Sequence, residues 1–221
     1  MAASERRQIQ QQLKQPDPFF EAIAEARDYF ETNRSQVLGI GGGIAALVAV
    51  VTIGSSYYVS QGRAAATSFA SAVSSLQTGS AGPAETDLKT IPARSNAGPY
   101  KALSTLYLAN IAADAGRYEE AVTSYDQFTA SAPTDYLRQI GLMGKAAALE
   151  KAGKAPEAAA TLEQAAAIEG PYRKAALSDR ARLAEKAGDK AAAIATLQKL
   201  LEIEGSTGDS SRIEHRIQAL K

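Results

Sequence analysis

Residues 115–128 read AGRYEEAVTSYDQF, and the same frame returns as AGKAPEAAATLEQA at 152–165 and AGDKAAAIATLQKL at 187–200. The glycines of the three copies, Gly116, Gly153 and Gly188, stand 37 and 35 residues apart. Self-similarity near that length is the signature of repeats built from paired helices. Each glycine falls where one helix must stop and an antiparallel partner begin, a place that often demands φ > 0, which glycine adopts without steric cost. Five residues on come Ala121, Ala158 and Ala193, small enough to let two helices approach, and four further on Tyr125, Leu162 and Leu197 supply bulk beside them. Small facing large is how packed layers interdigitate. Pro133, Gly170 with Pro171, and Gly205 close the three units. The reading is all-α: a helical-repeat solenoid over residues 100–205, rich in the strong helix formers Ala, Leu, Glu and Lys.

This arrangement resembles the tetratricopeptide repeat. In the first copy that family's turn glycine, aromatic, small residue, second aromatic and closing proline correspond to Gly116, Tyr118, Ala121, Tyr125 and Pro133. The later copies keep the glycine, the small residue and a bulky apolar residue. They carry Ala155 and Lys190 at the first aromatic and Gly170 and Gly205 at the proline, and Thr105, Leu142 and Leu177 stand where the first helix of the family prefers Trp. Upstream, residues 63–99 form an irregular helical pair and linker, in which residues 64–91 are a candidate fourth pair. Downstream, residues 206–221 read as a capping helix, SSRIEHRIQALK with Ser210 or Ser211 near its start, covering the edge a solenoid leaves open.

Ahead of the repeats lies SQVLGIGGGIAALVAVVTIGSSYYVSQG, residues 35–62, with no charged side chain. A spanning helix needs about 20 mostly apolar residues to cross about 30 Å of hydrocarbon, and Val37 to Val59 meets that length. A buried core helix would carry a polar face, and this run has none. A secretory signal would have a short basic start and an apolar run of about 7–15 residues, so an uncleaved anchor is expected. Tyr57 and Tyr58 fit an interfacial aromatic pair. Arg27 and Arg34 before the run, against Arg63 after it, place the N-terminus in the cytoplasm and the repeats outside by the positive-inside rule. Gly39-x-x-x-Gly43 is a small-residue face on which another membrane helix can pack. Residues 1–34 form an arm: a short helix capped by Ser4, a break at Pro16-Asp17-Pro18, then a segment with Phe19, Ile23, Ala26 and Phe30 on one stripe. That stripe suits an amphipathic helix on the membrane surface or on a partner, or a juxtamembrane extension of the anchor.

Twenty-four basic and 24 acidic residues balance to a formal charge of zero, which argues against a nucleic-acid partner, and the absence of cysteine removes disulfides and thiolate chemistry. His215, the one histidine, has no companion with which to hold a metal. Adjacent acids such as Glu119 and Glu120 point to different helix faces. Gly39 to Gly43 lies within the apolar run and lacks the lysine of a phosphate loop. No enzyme, cofactor or small-molecule substrate is indicated. A solenoid works through the surface lined by the first helix of each pair, where Asn110, Glu150, Arg182 and Glu185 are the candidate contacts, and no basic clamp for a peptide carboxylate is visible there.

A short arm, one spanning helix near residue 40 and a C-terminal tetratricopeptide-like domain resemble the YfgM family of bacterial inner-membrane proteins, ancillary subunits of the Sec translocon. The resemblance implies a single-pass inner-membrane protein with a cytoplasmic arm and a periplasmic repeat domain. It also implies partnership with SecYEG and with a PpiD-like membrane-anchored chaperone. The alternative is an accessory or assembly subunit of another inner-membrane complex, docked through the spanning helix and arm.

Overall fold

A computed structural model describes residues 18–204 and 208–221. Among these residues there are ten α-helices and no strand: α1 Pro18–Thr32, α2 Arg34–Gln77, α3 Ala81–Thr90, α4 Pro99–Asp114, α5 Tyr118–Ser131, α6 Asp135–Lys151, α7 Ala155–Ala167, α8 Arg173–Lys186, α9 Lys190–Glu204 and α10 Gly208–Leu220. The helix proposed at Ser4 and the break at Gly205 lie outside the described residues. Two compact units divide between Tyr57 and Tyr58.

In the first unit α1 carries Phe19, Ile23, Tyr29 and Phe30 exposed, and the apolar stretch of α2 has Leu38, Ile40, Ile44, Leu47, Val48, Val50, Val51 and Ile53 exposed. The Thr52 hydroxyl donates to the Val48 carbonyl at 2.7 Å, so this polar group is satisfied within its own helix. α2 does not stop at residue 62, where the uncharged run ends; residues 34–77 are one helix, since no proline interrupts them and RAAATSFASAVSSLQ continues with helix-compatible residues.

The second unit begins with the end of α2. Ala65 and Ala72, with Phe69 and Leu76 beside them, pack against Ala84, Leu88 and Ile91 of α3 and the loop after it. Residues 64–91 are therefore a helical pair, built over alanines. The loop folds back on α2: Asn96 Nδ2 donates to the Tyr58 carbonyl at 3.2 Å, and Gly62 lies so close that an added Cβ would come within 2.9 Å of the same Nδ2 and 3.2 Å of the Asn96 carbonyl oxygen.

Three helical pairs follow, α4/α5, α6/α7 and α8/α9, with α10 against α9. Gly116, Gly153 and Gly188 have φ of 76°, 80° and 73°. Around each, the glycine N–H and the next N–H reach back to carbonyls three and five residues earlier; at the first turn these are Gly116 to Ala113 at 3.1 Å and Arg117 to Ala112 at 2.8 Å. That is the Schellman closure, which satisfies helix-end carbonyls and turns the chain. Ala121, Ala158 and Ala193 are fully buried, and Tyr125, Leu162 and Leu197 nearly so. Two further glycines decide how α5 meets α6. A Cβ on Gly141 would fall 2.6 Å from Phe128, and one on Gly144 2.4 Å from Tyr125. The rings of α5 thus lie directly on the backbone of α6. Within the second pair, at the end of α7, the filler is polar: buried Gln139 of α6 donates to the carbonyls of Ala165 at 3.1 Å and Ile168 at 2.8 Å. The capping helix α10 starts at Gly208, with Ser210 and Ser211 its third and fourth residues, and buries Ile213 and Ile217 in the last core.

Candidate interaction surface

The four polar residues read from the sequence as contacts of the solenoid are all bonded within the chain. Asn110 Oδ1 accepts from the Tyr125 hydroxyl at 2.6 Å, orienting the ring that fills the first pair. Glu150 of α6 is held by a fork from Arg182 of α8, Nη1 at 2.9 Å and Nη2 at 2.8 Å, with Lys186 at 3.4 Å. Glu185 of α8 accepts from Arg216 of α10, Nε at 3.2 Å and Nη2 at 2.9 Å. Glu150 and Glu185 each precede their turn glycine by three residues, and each meets an arginine on the next first helix or on the cap. In the first copy the corresponding residue is Ala113, which cannot form this pair.

Similar links occur elsewhere between successive units. Arg117 bridges to Glu85 at 2.9 Å and Lys154 to Glu119 at 2.7 Å. The Arg182 guanidinium beside Glu150 holds that carboxyl at about 2, and Arg117 with Lys89 does the same for Glu85. A bidentate guanidinium favours the charged carboxylate, which is why both titrate so low. These residues act as ties between repeats.

Gly39 and Gly43 have no heavy atom within 4 Å of where a Cβ would stand, so among the described residues nothing packs on their face. Crevices open in the solenoid. One of about 330 Å³ lies among α7, α8 and α9, where Arg180 pairs with Glu163 across it at 2.9 Å over Leu177. Another of about 200 Å³ lies between α8 and α10, with Lys174, Ser178, Arg212 and Arg216 in its wall. Among the described residues no group of His, Asp or Glu is placed to hold a metal ion.

A second periodicity lies beneath the glycine frame. Tyr100, Tyr136 and Tyr172 are 36 residues apart, at or beside the start of α4, α6 and α8, twice within Gly-Pro-Tyr. The spacing is legible in the sequence; the glycine frame marks the turn between the helices of a pair, whereas these tyrosines mark the entry to each pair. Tyr100 is half-buried against Phe69, ring centroids 5.4 Å apart. Tyr136 and Tyr172 lie against each other at 5.8 Å with planes tilted by 38°. The Tyr172 phenol is pushed above its ordinary value, chiefly by hydrogen bonding with the Tyr136 side chain.

No protein-family model matches the chain, and no curated protein matches it in sequence. Solved structures do. A tetratricopeptide repeat protein from Parabacteroides merdae is similar with a TM-score of 0.59 at 19% identity, over 72% of this chain and 60% of that one. This chain thus spans about three fifths of that relative. A putative kinesin light chain with nearly identical TPR-like repeats from Podosopora anserina aligns with a TM-score of 0.53 at 24% identity, over 70% of this chain and 83% of that one. At such identities the likeness speaks to the fold alone, and it agrees with the Schellman turns and small-against-large packing described above. The chain carries a tetratricopeptide-like helical-repeat fold, preceded, among the described residues, by one helix long and apolar enough to cross a membrane.

Proposed function

We propose that the protein is a single-pass, membrane-anchored interaction subunit of the bacterial inner membrane, which holds a tetratricopeptide-like domain beside the Sec translocon as an ancillary or chaperone-recruiting partner. The observation that carries the anchor is in α2: not one residue of the most apolar 18-residue window of that helix is buried. Side chains such as Val50 and Ile53 left to water would cost about 1.5–3 kcal/mol each relative to burial, whereas lipid covers them at no such cost. Cation placement favours a cytoplasmic arm and a periplasmic repeat domain. The resemblance to the YfgM family supplies the translocon and a PpiD-like membrane-anchored chaperone as partners, and the repeat fold suits such recruitment.

The chain has no native cysteine, so single probes introduced by Ser4→Cys or Ser211→Cys read topology cleanly. In intact cells an impermeant thiol reagent labels the residue-211 probe and not the residue-4 probe, and SecY co-purifies with the full chain from mild detergent. Labelling at residue 4 alone reverses the orientation and removes the periplasmic role. Stable recovery with a different membrane assembly, without SecY, replaces the translocon as partner.

A further inference from the structure

The second unit is basic where it takes over from the apolar run. Val59 closes that run, and Arg63 follows four residues on, about 6 Å further along α2. The headgroup layer beside the hydrocarbon is about 5–8 Å thick on each side, so a helix anchored by this run carries Arg63 within it. The loop between α3 and α4 brings a second cation to this turn of α2. Asn96 holds the Tyr58 carbonyl and crowds Gly62, and Arg94 Nη1 lies 3.5 Å from Gln61 Oε1. Lys101, exposed in the first turn of α4, follows Tyr100, whose ring rests on Phe69 less than two turns beyond Arg63.

No acid balances these cations. Residues 58–84 and 88–113 contain neither Asp nor Glu, and between them Glu85 is taken by Arg117 and Lys89. Among the described residues Arg63, Arg94 and Lys101 form no ion pair, and Arg94 Nε, shielded from solvent, has no acceptor. Further along the solenoid cation meets acid, as in Lys154 with Glu119, Arg182 with Glu150 and Arg216 with Glu185. Like charges gathered without an acid repel one another until an anion joins them.

We propose that Arg63, Arg94 and Lys101 form a seat for the phosphates of anionic phospholipids, through which this end of the repeat domain rests on the headgroups. The proposal depends on the reading of α2 as an anchor. A guanidinium presents a planar fork of N–H donors that matches phosphate oxygens, and each Arg or Lys held near an anionic surface strengthens attachment about fivefold. The α4 N-terminus, which no side chain caps, adds partial positive charge beside Lys101. A soluble anion or an acidic protein would have to reach Arg63 inside the headgroup layer, where lipid phosphates already stand.

The test places the purified full chain in nanodiscs of phosphatidylcholine alone or of equal parts phosphatidylcholine and phosphatidylglycerol, and follows backbone hydrogen exchange by mass spectrometry. Peptides covering residues 91–101 exchange at least about fivefold more slowly in the anionic discs, while those from α6 and α8 exchange alike in both. The double variant Arg63→Gln with Arg94→Gln loses that difference with an unchanged circular dichroism spectrum, and Arg63→Lys with Arg94→Lys, which keeps the charges, retains it. Equal exchange of residues 91–101 in the two discs, slowing that survives the double Gln variant, or equal slowing of α6 and α8 overturns the proposal. Inorganic phosphate that reproduces the protection in phosphatidylcholine discs assigns the seat to a soluble anion and overturns it as well. A chain that enters neither disc removes the anchor and this proposal together, whereas one that enters both without a lipid effect removes this proposal alone.

Discussion

Residues 18–57 and residues 58–221 are both helical, yet they dispose of their apolar side chains in opposite ways. In the first, Leu38, Ile44, Leu47 and Val50 are exposed; in the second, Phe128, Leu149 and Leu197 have essentially no exposed surface. The difference lies in pattern more than content. The apolar run of α2 is apolar on every side, so no neighbouring helix of one chain could cover it, whereas each repeat spends one small residue and one large one at fixed distances from a turn. A chain that folds against itself needs the second arrangement. The first leaves its apolar side chains uncovered among the described residues.

The widest separation between the regions is expected on truncating a large side chain in each. Phe128→Ala empties space above Gly141 and should cost about 3–5 kcal/mol, read as a fall in the urea midpoint of the purified full chain in detergent. Leu47→Ala removes an exposed side chain and should leave that midpoint within about 0.5 kcal/mol. A large effect of Leu47→Ala would show that α2 is covered by the protein's own fold and would dissolve the contrast.

Arginine scanning reverses the asymmetry. Val50→Arg puts a charge near the centre of the apolar run, a change of about 2.5–3.5 kcal/mol in insertion, and should shift the chain from the carbonate-resistant membrane fraction toward the extractable one. Ala147→Arg on the exposed side of α6 should leave membrane recovery unaltered. Equal extraction of Val50→Arg and wild type would remove the case for the anchor.

The fold was legible because its determinants are local and periodic. A turn glycine, an alanine five residues on and a bulky residue four beyond that can be counted along a single sequence. What escaped was determined by partners far apart in the chain. Gly141 and Gly144 look like weak points in a helix until Phe128 and Tyr125 are seen lying on them. Gln139 is polar yet buried, because the carbonyls it satisfies belong to the end of α7, 26 and 29 residues away. The candidate contacts Glu150, Arg182 and Glu185 were identifiable as charged residues on first helices, but their ties to one another and to Arg216 depend on how successive repeats align. Tyr136, by contrast, was visible as one of three tyrosines 36 residues apart; its exposure was not.

Gln139 offers a finer probe of the second region. Gln139→Ala strands two carbonyls at the α7–α8 junction and should cost about 1–3 kcal/mol. Gly170→Ala alone would push a Cβ to 2.3 Å from Gln139 Oε1, so it should be costly in wild type and much less so beside Gln139→Ala. Strict additivity in that double-mutant cycle would mean that the two residues do not meet.

The smallest expected effect compares ion pairs across the two regions. Glu150, with 22% of its side chain exposed, is held by Arg182, 48% exposed; in α1, Glu31 pairs with Arg27 at 63% and 78% exposure. The folded Glu150 carboxyl titrates at about 2, below the unfolded value of about 4.3, because Arg182 favours its charged form. Its contribution is thus fully present above about pH 4.5 and is lost as pH falls toward 2. Solvent screening of so open a pair limits the gain to about 1 kcal/mol. Glu150→Gln should therefore lower the urea midpoint slightly at pH 7, and its difference from wild type should shrink between pH 5 and pH 2. Glu31→Gln should change the midpoint at neither pH, since that pair lies in solvent and outside the repeats. A Glu150→Gln penalty that grows on acidification would reverse the sign of the linkage, and the tie between α6 and α8 would then have to rest on packing in place of charge.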